Sequence, residues 1–280
     1  MTTTFPREIL MHVVKALPAA PQILAQLGKL RLEPDADLAD VTALLKCDAA
    51  LTARVLRIAN SALYGGGIHY SSLDHALARV GFGVIYRIAG IAAVAQMANQ
   101  DLKLYKISGP RLRENSLLTA LIMEELAGST DTDSQEAYSA GLLRSTGKVA
   151  LDGMMRDSSA GCFEPDSSGP LAQWEKGRAG LSSCEAAEFI LTEWRFPASL
   201  CSAIGHHLEP ERMSPPTPLA NLLNLAAGAA ARHGHALPGE GPYWTLEPEK
   251  LEAAGVGEHQ LEEASASALE KFELVRGSVS

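Results

Sequence analysis

The stretch that decides the fold is Asp48-Ala-Ala-Leu-Thr-Ala-Arg-Val-Leu-Arg-Ile-Ala-Asn-Ser-Ala-Leu-Tyr-Gly65. Its apolar residues recur at three- and four-residue intervals, the period of one face of an α-helix. These residues are Leu51, Val55, Ile58 and Ala59. Asn60 and Ser61 suit the end of that helix, and the glycines at 65–67 allow the chain to reverse. The stretch therefore predicts a helix followed by a tight turn.

Helical periodicity continues along the rest of the chain. Apolar stripes with the same spacing cover residues 38–45, 73–98 and 117–126, and Ser182-Ser183-Cys184-Glu185 has the pattern of a helix-starting capping box. No run rich in β-branched residues alternates between apolar and polar for long enough to predict a sheet. We therefore predict an all-α fold, a multi-helix bundle.

The charge balance limits the kinds of partner. The 280 residues carry a net charge of −9, with 46% hydrophobic residues. Because general affinity for nucleic acid depends on cations that neutralise phosphates, we expect no such affinity here. The middle of the chain nevertheless has a cationic bias, which is either a solvated face or a contact for an anionic partner. The residues concerned are Arg79, Arg87, Lys103, Lys106, Arg111 and Arg113.

The cellular compartment can be inferred from the cysteines and the apolar stretches. None of the four cysteines forms a C-x-x-C pair, which indicates reduced thiols rather than a disulfide framework. The N-terminus lacks a basic region followed by an apolar run, so we expect no signal peptide. The most apolar stretch, 85–98, contains Arg87 and is shorter than the roughly 20 residues that a bilayer requires. We expect a cytoplasmic protein without a membrane segment.

Residues 48–65 belong to a longer ordered pattern. Leu17-Pro-x-x-Pro21 precedes them, while Trp194-x-x-Pro197 and Ala203-Ile-x-His-His-x-Glu-Pro210 follow. From about Glu8 to Pro210 the chain resembles the HDOD domain, the HD-related output domain of bacterial signalling proteins. The resemblance implies an HDOD domain over 1–232, in which an HD-like helical lobe packs on an N-terminal helical lobe. We expect the N-terminal lobe at about 1–107, the HD-like lobe at about 108–232 and a C-terminal helical extension at 233–280.

The metal-binding motif of the HD superfamily is altered. Gly141-Leu-Leu-Arg-Ser-Thr-Gly-Lys148 resembles Gly-Leu-Leu-His-Asp-Ile-Gly-Lys, with Arg144 and Ser145 in place of the His-Asp doublet. The resemblance places Asn115 at the first histidine position and Ala227, or Ala226, at the late aspartate position. A divalent metal needs lone pairs from imidazole and carboxylate groups, and a guanidinium offers none. We expect no metal, no cofactor and no catalytic residue.

Six residues are candidates for a vestigial cleft or ligand site: Asn115, Arg144, Ser145, Lys148, His206 and His207. Arg144 and Lys148 lie four residues apart, which predicts one helical face; they serve either as solvated or ion-paired groups, or as an anion-binding patch. His206 and His207 would point about 100° apart on a helix, so we do not expect them to share an ion. Their roles are either structural or those of a residual pocket.

A second set, Asn60, Ser61 and Tyr64, comes from the stretch that decides the fold. These residues are either determinants of the fold or part of a partner surface. A cysteine nucleophile is not expected, because Cys184 lies at a helix start without an evident group to orient a histidine.

The resemblance implies a non-catalytic module of bacterial signal transduction that contacts other signalling proteins. No receiver or kinase pattern is evident, so we expect a free-standing adaptor and consider a homodimer. A small anion, such as a nucleotide second messenger, is an open candidate input to the cleft. The alternative is a metal-dependent phosphohydrolase or phosphodiesterase of the HD superfamily, an activity that would require a residual metal site.

Overall fold

The computed structural model describes residues 7–35, 37–156 and 161–279. Within these ranges the chain is helical and contains no β-strand; an isolated bridge joins Leu102 and Ile107. The predicted all-α fold is confirmed.

Six helices form the first part of the chain. They are α1 (Arg7–Ala16), α2 (Ala20–Leu30), α3 (Leu38–Lys46), α4 (Ala49–Ala59), α5 (Ala62–Gly65) and α6 (Leu73–Met97). The second part contains α7 (Gly109–Ala127), α8 (Ser134–Leu143), α9 (Thr146–Met155), α10 (Leu171–Ala179), α11 (Ser183–Glu193), α12 (Ala198–His206) and α13 (Pro218–Ala230). A π-turn (Ala231–His235) and a 3₁₀ turn (Gly241–Tyr243) lead to α14 (Pro248–Ala254) and α15 (Glu258–Val279).

Local sequence fixes several helix starts. Ser182 caps α11: its hydroxyl accepts a hydrogen bond from the Glu185 N–H, while the Glu185 carboxylate accepts from the Ser182 N–H at 2.7 Å. This reciprocal arrangement satisfies two N–H groups that have no partner inside the helix. Asp37 and Asp40 make the same arrangement at α3. The capping box predicted at 182–185 is confirmed.

Helix α6 is the central apolar element of the first part. Gly81 interrupts it with φ 80° and ψ 170°, a backbone conformation that glycine adopts without strain. The helix is long and apolar enough to cross a membrane by length and composition, but 56% of its most apolar stretch is buried. It packs against α2, α3, α4 and α8, as the core helix of a globular domain does.

The main hydrophobic core runs across the predicted lobe boundaries. It joins Leu24 of α2, Ile88 of α6, Leu118 of α7 and Phe272 of α15 in one cluster. The C-terminal helix α15 packs along α7, so the extension contributes to the same core. A second cluster surrounds Tyr105, Phe163 and Trp174, beside the candidate cleft.

The sequence predicts a mobile surface loop at Ser158–Gly169. Residues 158–160 lie outside the described residues. The following residues, 161–169, contain no helix, but the Phe163 side chain is buried and its N–H donates to the Leu104 carbonyl at 2.7 Å. This contact anchors the loop at Phe163 to the second core cluster, while most of the other described loop residues are exposed.

Candidate functional site

Two neighbouring helix ends bring the cleft cations together. Helix α8 ends at Leu143, and α9 begins at Thr146, with Arg144 and Ser145 between them. The prediction that Arg144 and Lys148 share one helical face is therefore wrong, because the two residues belong to different helical segments. Both side chains nevertheless reach the same carboxylate.

That carboxylate belongs to Glu240, in the segment between α13 and α14. Arg144 donates from Nη1 to Glu240 Oε1 at 3.1 Å and from Nη2 to Oε2 at 3.0 Å, while Lys148 Nζ lies 2.9 Å from Oε1. All three residues are buried, with exposed fractions of 3%, 2% and 0% for Arg144, Lys148 and Glu240. The paired bonds of the guanidinium fork hold the carboxylate in a single orientation. We call these three residues the buried charge cluster.

The charges of the cluster stabilise one another. Burial alone would raise the pKa of Glu240, but Arg144 and Lys148 lower that pKa to about 2. Burial alone would lower the pKa of Lys148, but Glu240 and then Glu175 raise it. Glu240 is thus a carboxylate and Lys148 an ammonium at neutral pH, because each supplies the opposite charge that burial demands.

The side chains of Asn115 and Trp244 also contact Arg144. Asn115 Oδ1 accepts from Arg144 Nη2 at 2.6 Å, and Asn115 Nδ2 donates to the His235 carbonyl at 2.6 Å. The Trp244 ring lies 5.7 Å from the guanidinium carbon. Cation–ring and amide contacts of this kind hold a guanidinium in a water-poor site.

His207 is held as a neutral ring. Its Nδ1 lies 2.8 Å from the Ile204 carbonyl oxygen, which can only accept, and its Nε2 lies 3.4 Å from Arg144 Nη1, which can only donate. These partners assign the proton to Nδ1. Burial, together with Arg144, lowers the pKa of His207 to about 3. The ring therefore acts as an acceptor for Arg144 rather than as a third cation.

A second carboxylate lies on the far side of Lys148. Lys148 Nζ is 3.4 Å from Ser183 Oγ and 5.7 Å from the centre of the Tyr105 ring. Glu175, also buried, accepts from the Tyr105 hydroxyl at 2.9 Å and from the Ser183 N–H at 2.8 Å. Two buried carboxylates thus accompany two buried cations.

Among the described residues, the side chains of the other two predicted cleft residues, His206 and Ser145, make no hydrogen bond to the cluster. His206 is half-exposed; its Nδ1 lies 2.9 Å from the Ser202 carbonyl, and it is not a hydrogen-bond partner of Arg144. It lines a different cavity of about 300 Å³ together with Glu185 and Glu188. Ser145 is buried, and its hydroxyl has no hydrogen-bond partner among the described residues.

Asn60 joins the end of α4 to the following loop. Its Nδ2 donates to the carbonyls of Leu56 and Tyr70 at 2.8 and 3.0 Å, and its Oδ1 accepts from the Tyr70 N–H at 2.7 Å. Ser61 is buried, and burial raises the pKa of the half-buried Tyr64 to about 12. Asn60 therefore fixes the turn, while a partner surface at these three residues stays a prediction.

The cleft residues do not fit a divalent metal. The four motif positions hold a guanidinium, a hydroxyl, an amide and, at the late position on α13, the methyl group of a buried alanine, Ala227 or Ala226. Arg144 and Lys148 already occupy both oxygens of Glu240. Within residues 7–35, 37–156 and 161–279, no group of three His, Cys, Asp or Glu side chains could hold a metal ion. A positive ion placed here would face two fixed positive charges.

Sequence reasoning missed Glu240, Glu175, Tyr105 and Trp244. Glu240 lies 96 residues after Arg144, in a stretch of glycines and prolines with no periodic pattern. One signal was available: a buried cation needs an acid, and the turn 236–242 contains Glu240 as its single carboxylate. Nothing local links it to position 144.

The comparison with protein families settles the relationship. The HDOD domain family matches residues 17–210, more than two thirds of the chain. The chain belongs to the HDOD family. The altered motif, with Arg144 and Lys148, lies within the matched residues, whereas Glu240 follows them in the chain. No curated protein matches the chain significantly.

Solved structures show the same fold. An HDOD domain protein of unknown function from Geobacter sulfurreducens is 21% identical, with a TM-score of 0.68, covering 97% of this chain and 96% of that chain. A proposed phosphohydrolase from Shewanella amazonensis SB2B is 22% identical, with a TM-score of 0.65, covering 97% and 98%. A proposed signal transduction protein from Marinobacter aquaeolei VT8 is 19% identical, with a TM-score of 0.69, covering 98% of this chain and 65% of that chain.

Proposed function

We propose that this HDOD protein is a non-catalytic regulatory module of signal transduction, which acts in the cytoplasm through contacts with other signalling proteins or with a second copy of itself. The observation that carries the proposal is the buried charge cluster. Arg144 occupies a position that, by the resemblance, holds a metal ligand in an HD enzyme, and Glu240 neutralises both Arg144 and Lys148. The name of the Marinobacter structure is compatible with this role.

The chemistry of the cleft argues against a hydrolase. Hydrolysis by this superfamily depends on a metal that lowers the pKa of bound water, and the donor set offers no place for one. The other nucleophile near the cleft is Cys184, whose sulfur lies 3.7 Å from His207 Nδ1. Burial raises the pKa of that thiol to about 12, so it stays protonated at neutral pH.

An anionic input to the cleft would have to compete with Glu240. The carboxylate already makes the contacts with Arg144 and Lys148 that a phosphate would make. We therefore propose that a second-messenger anion, if it regulates this protein through the cleft, acts by displacing Glu240. A protein contact that moves the segment carrying Glu240 would have the same effect.

The alternative is a metal-dependent phosphohydrolase, the class proposed for the Shewanella structure. A hydrolysis assay with Mn²⁺, Mg²⁺ or Fe²⁺ on cyclic dinucleotides and guanosine polyphosphates separates the two, with metal analysis of the same preparation. We expect no turnover and no stoichiometric metal. Turnover that co-purifies with the chain, accompanied by about one metal ion per chain, would overturn the proposal.

A further inference from the structure

A second group of arginines lies outside the cleft. Arg54 and Arg57 of α4 and Arg113 of α7 line a cavity of about 500 Å³, whose walls include Ala50, Ala53 and Ala95. Arg54 and Arg57 are three residues apart, so they share one face of α4. The alanines keep the side chains around the arginines short and leave the space between the helices open.

These arginines have no acidic partner in the described part of the chain. Arg113 donates from Nη1 to the Ala98 carbonyl at 2.7 Å, and none of the three forms an ion pair with a described carboxylate. Two acids close to these arginines in sequence are engaged elsewhere. Asp48 caps α4 through the Leu51 N–H and accepts from Gln96, and Glu114 faces His235.

The arrangement is unfavourable without a ligand. Burial and then repulsion from Arg54 lower the pKa of Arg113; Glu114 opposes this shift, and Arg57 adds a smaller lowering. Four other arginines of this acidic chain form ion pairs: Arg31 with Asp133, Arg87 with Glu124, Arg156 with Asp152 and Arg212 with Glu209. Here three guanidinium groups line one cavity and no carboxylate is among the described lining residues, so the cavity lacks an anion.

We propose that the cavity formed by Arg54, Arg57 and Arg113 binds the phosphate group of a small phosphate ester. Planar guanidinium forks match the oxygens of a phosphate and remain charged at any physiological pH. The cavity volume lies within the range of about 300–1,000 Å³ found for small-molecule sites, which leaves room for an organic group against the alanine walls.

This site differs from the cleft in its accessibility. The cleft cations are buried and neutralised by Glu240, whereas Arg57 is exposed and Arg54 and Arg113 are half-buried. A ligand can therefore reach the arginine cavity without any rearrangement of the segment that carries Glu240. The inference is independent of the proposed role of the cleft.

Isothermal titration calorimetry of the full chain in low-salt, phosphate-free buffer tests the proposal. The probes are inorganic phosphate, ribose 5-phosphate and adenosine 5′-monophosphate, with adenosine as the uncharged control. We expect the two esters to bind more tightly than inorganic phosphate, and adenosine not to bind. Arg57→Gln should weaken ester binding by about tenfold, the effect of one charge-assisted contact. Arg79→Gln removes an equal charge from an exposed position that does not line the cavity, and should leave affinity unchanged.

A second variant tests the location without removing an arginine. Ala53→Glu places a carboxylate at the wall of the cavity and should abolish ester binding. Arg57→Gln should also keep or raise the Tm of the ligand-free protein, because it relieves repulsion. Three results would overturn the proposal: no heat with either ester at millimolar concentration, equal weakening by Arg57→Gln and Arg79→Gln, or full binding by Ala53→Glu. Binding of inorganic phosphate alone, insensitive to these variants, would indicate an adventitious ion.

Discussion

Glu240 neutralises two cations that are themselves buried, and its environment sets its energetic importance. A buried ion pair stabilises a fold only modestly, since both charges lose their hydration. Loss of one partner is different, because the remaining charge stays buried without compensation. Here a single carboxylate serves both Arg144 and Lys148, so its removal would leave two cations with the more distant Glu175.

Glu240→Gln should therefore be strongly destabilising. We expect it to lower the free energy of unfolding by about 3–5 kcal/mol, the effect of breaking a buried pair. Urea denaturation at pH 7 measures the change. Glu262→Gln, at an exposed position of α15, is the matched control and should change stability by less than about 0.5 kcal/mol. Equal midpoints for the two variants would contradict the neutralising role of Glu240.

The lowered pKa of His207 predicts how the free energy of unfolding changes at acidic pH. Its pKa is about 3 in the folded protein against an ordinary 6.5, so the unfolded chain takes up a proton first as the pH falls. Stability is fully present above pH 6.5 and is lost towards pH 3, with a limiting slope of about 1.4 kcal/mol per pH unit for one proton. Glu240 adds a loss in the same direction below pH 4.5, since its pKa is lowered to about 2.

The measurement is the free energy of unfolding between pH 7 and 4.5, above the range of Glu240. His207→Gln should reduce the slope of the free energy of unfolding against pH in this window by the amount that corresponds to about one proton. His259→Gln, which changes an exposed histidine on α15, should leave the slope as it is. An unchanged slope in His207→Gln would mean that the ring is not held neutral.

At the scale of elements, glycines set the distance between the helices that carry the cluster. A Cβ atom at Gly147 of α9 would overlap the carbonyl of Ser183 at the start of α11, and one at Gly141 of α8 would overlap the backbone of α7 at Ala120. Close contact between α9 and α11 brings Lys148 to Ser183. The glycines of the 141–148 motif thus have a packing role that does not depend on metal.

Two substitutions in one helix test this packing role. Gly147→Ala should destabilise the protein by several kcal/mol, because α9 and α11 must separate. Gly153→Ala in the same helix meets no atom within 4 Å and should stabilise by up to about 1 kcal/mol, the gain in helix propensity. Thermal and urea denaturation measure both. A similar change for the two variants would show that the helix contact is not tight at Gly147.

The elements themselves were largely predictable from the sequence. Apolar periodicity and capping residues predict α3, α4 and α11, since these signals lie within a few residues of one another. The break at Arg144 was not predicted, because Gly141 to Lys148 reads as one uninterrupted helical segment. Local preferences do not report the tertiary contacts that end a helix there.

At the scale of the whole molecule, distant segments form the site. Arg144, Lys148, Asn115 and His207 could be grouped from the resemblance to HD proteins, and the structure brings all four together. Glu240 could not be assigned to this group from the sequence, because it comes from a segment without regular structure that packs back over the cleft. The same holds for the core, in which Phe272 of α15 joins the helices of the first part.

The long separation in sequence between Arg144 and Glu240 also affects folding during synthesis on the ribosome. Ninety-six residues divide the guanidinium from its counter-ion. While the ribosome is still translating that interval, the emerging polypeptide has both cations but not yet the glutamate. The pocket can therefore close only late in synthesis, and until then water or a cellular anion must solvate Arg144 and Lys148.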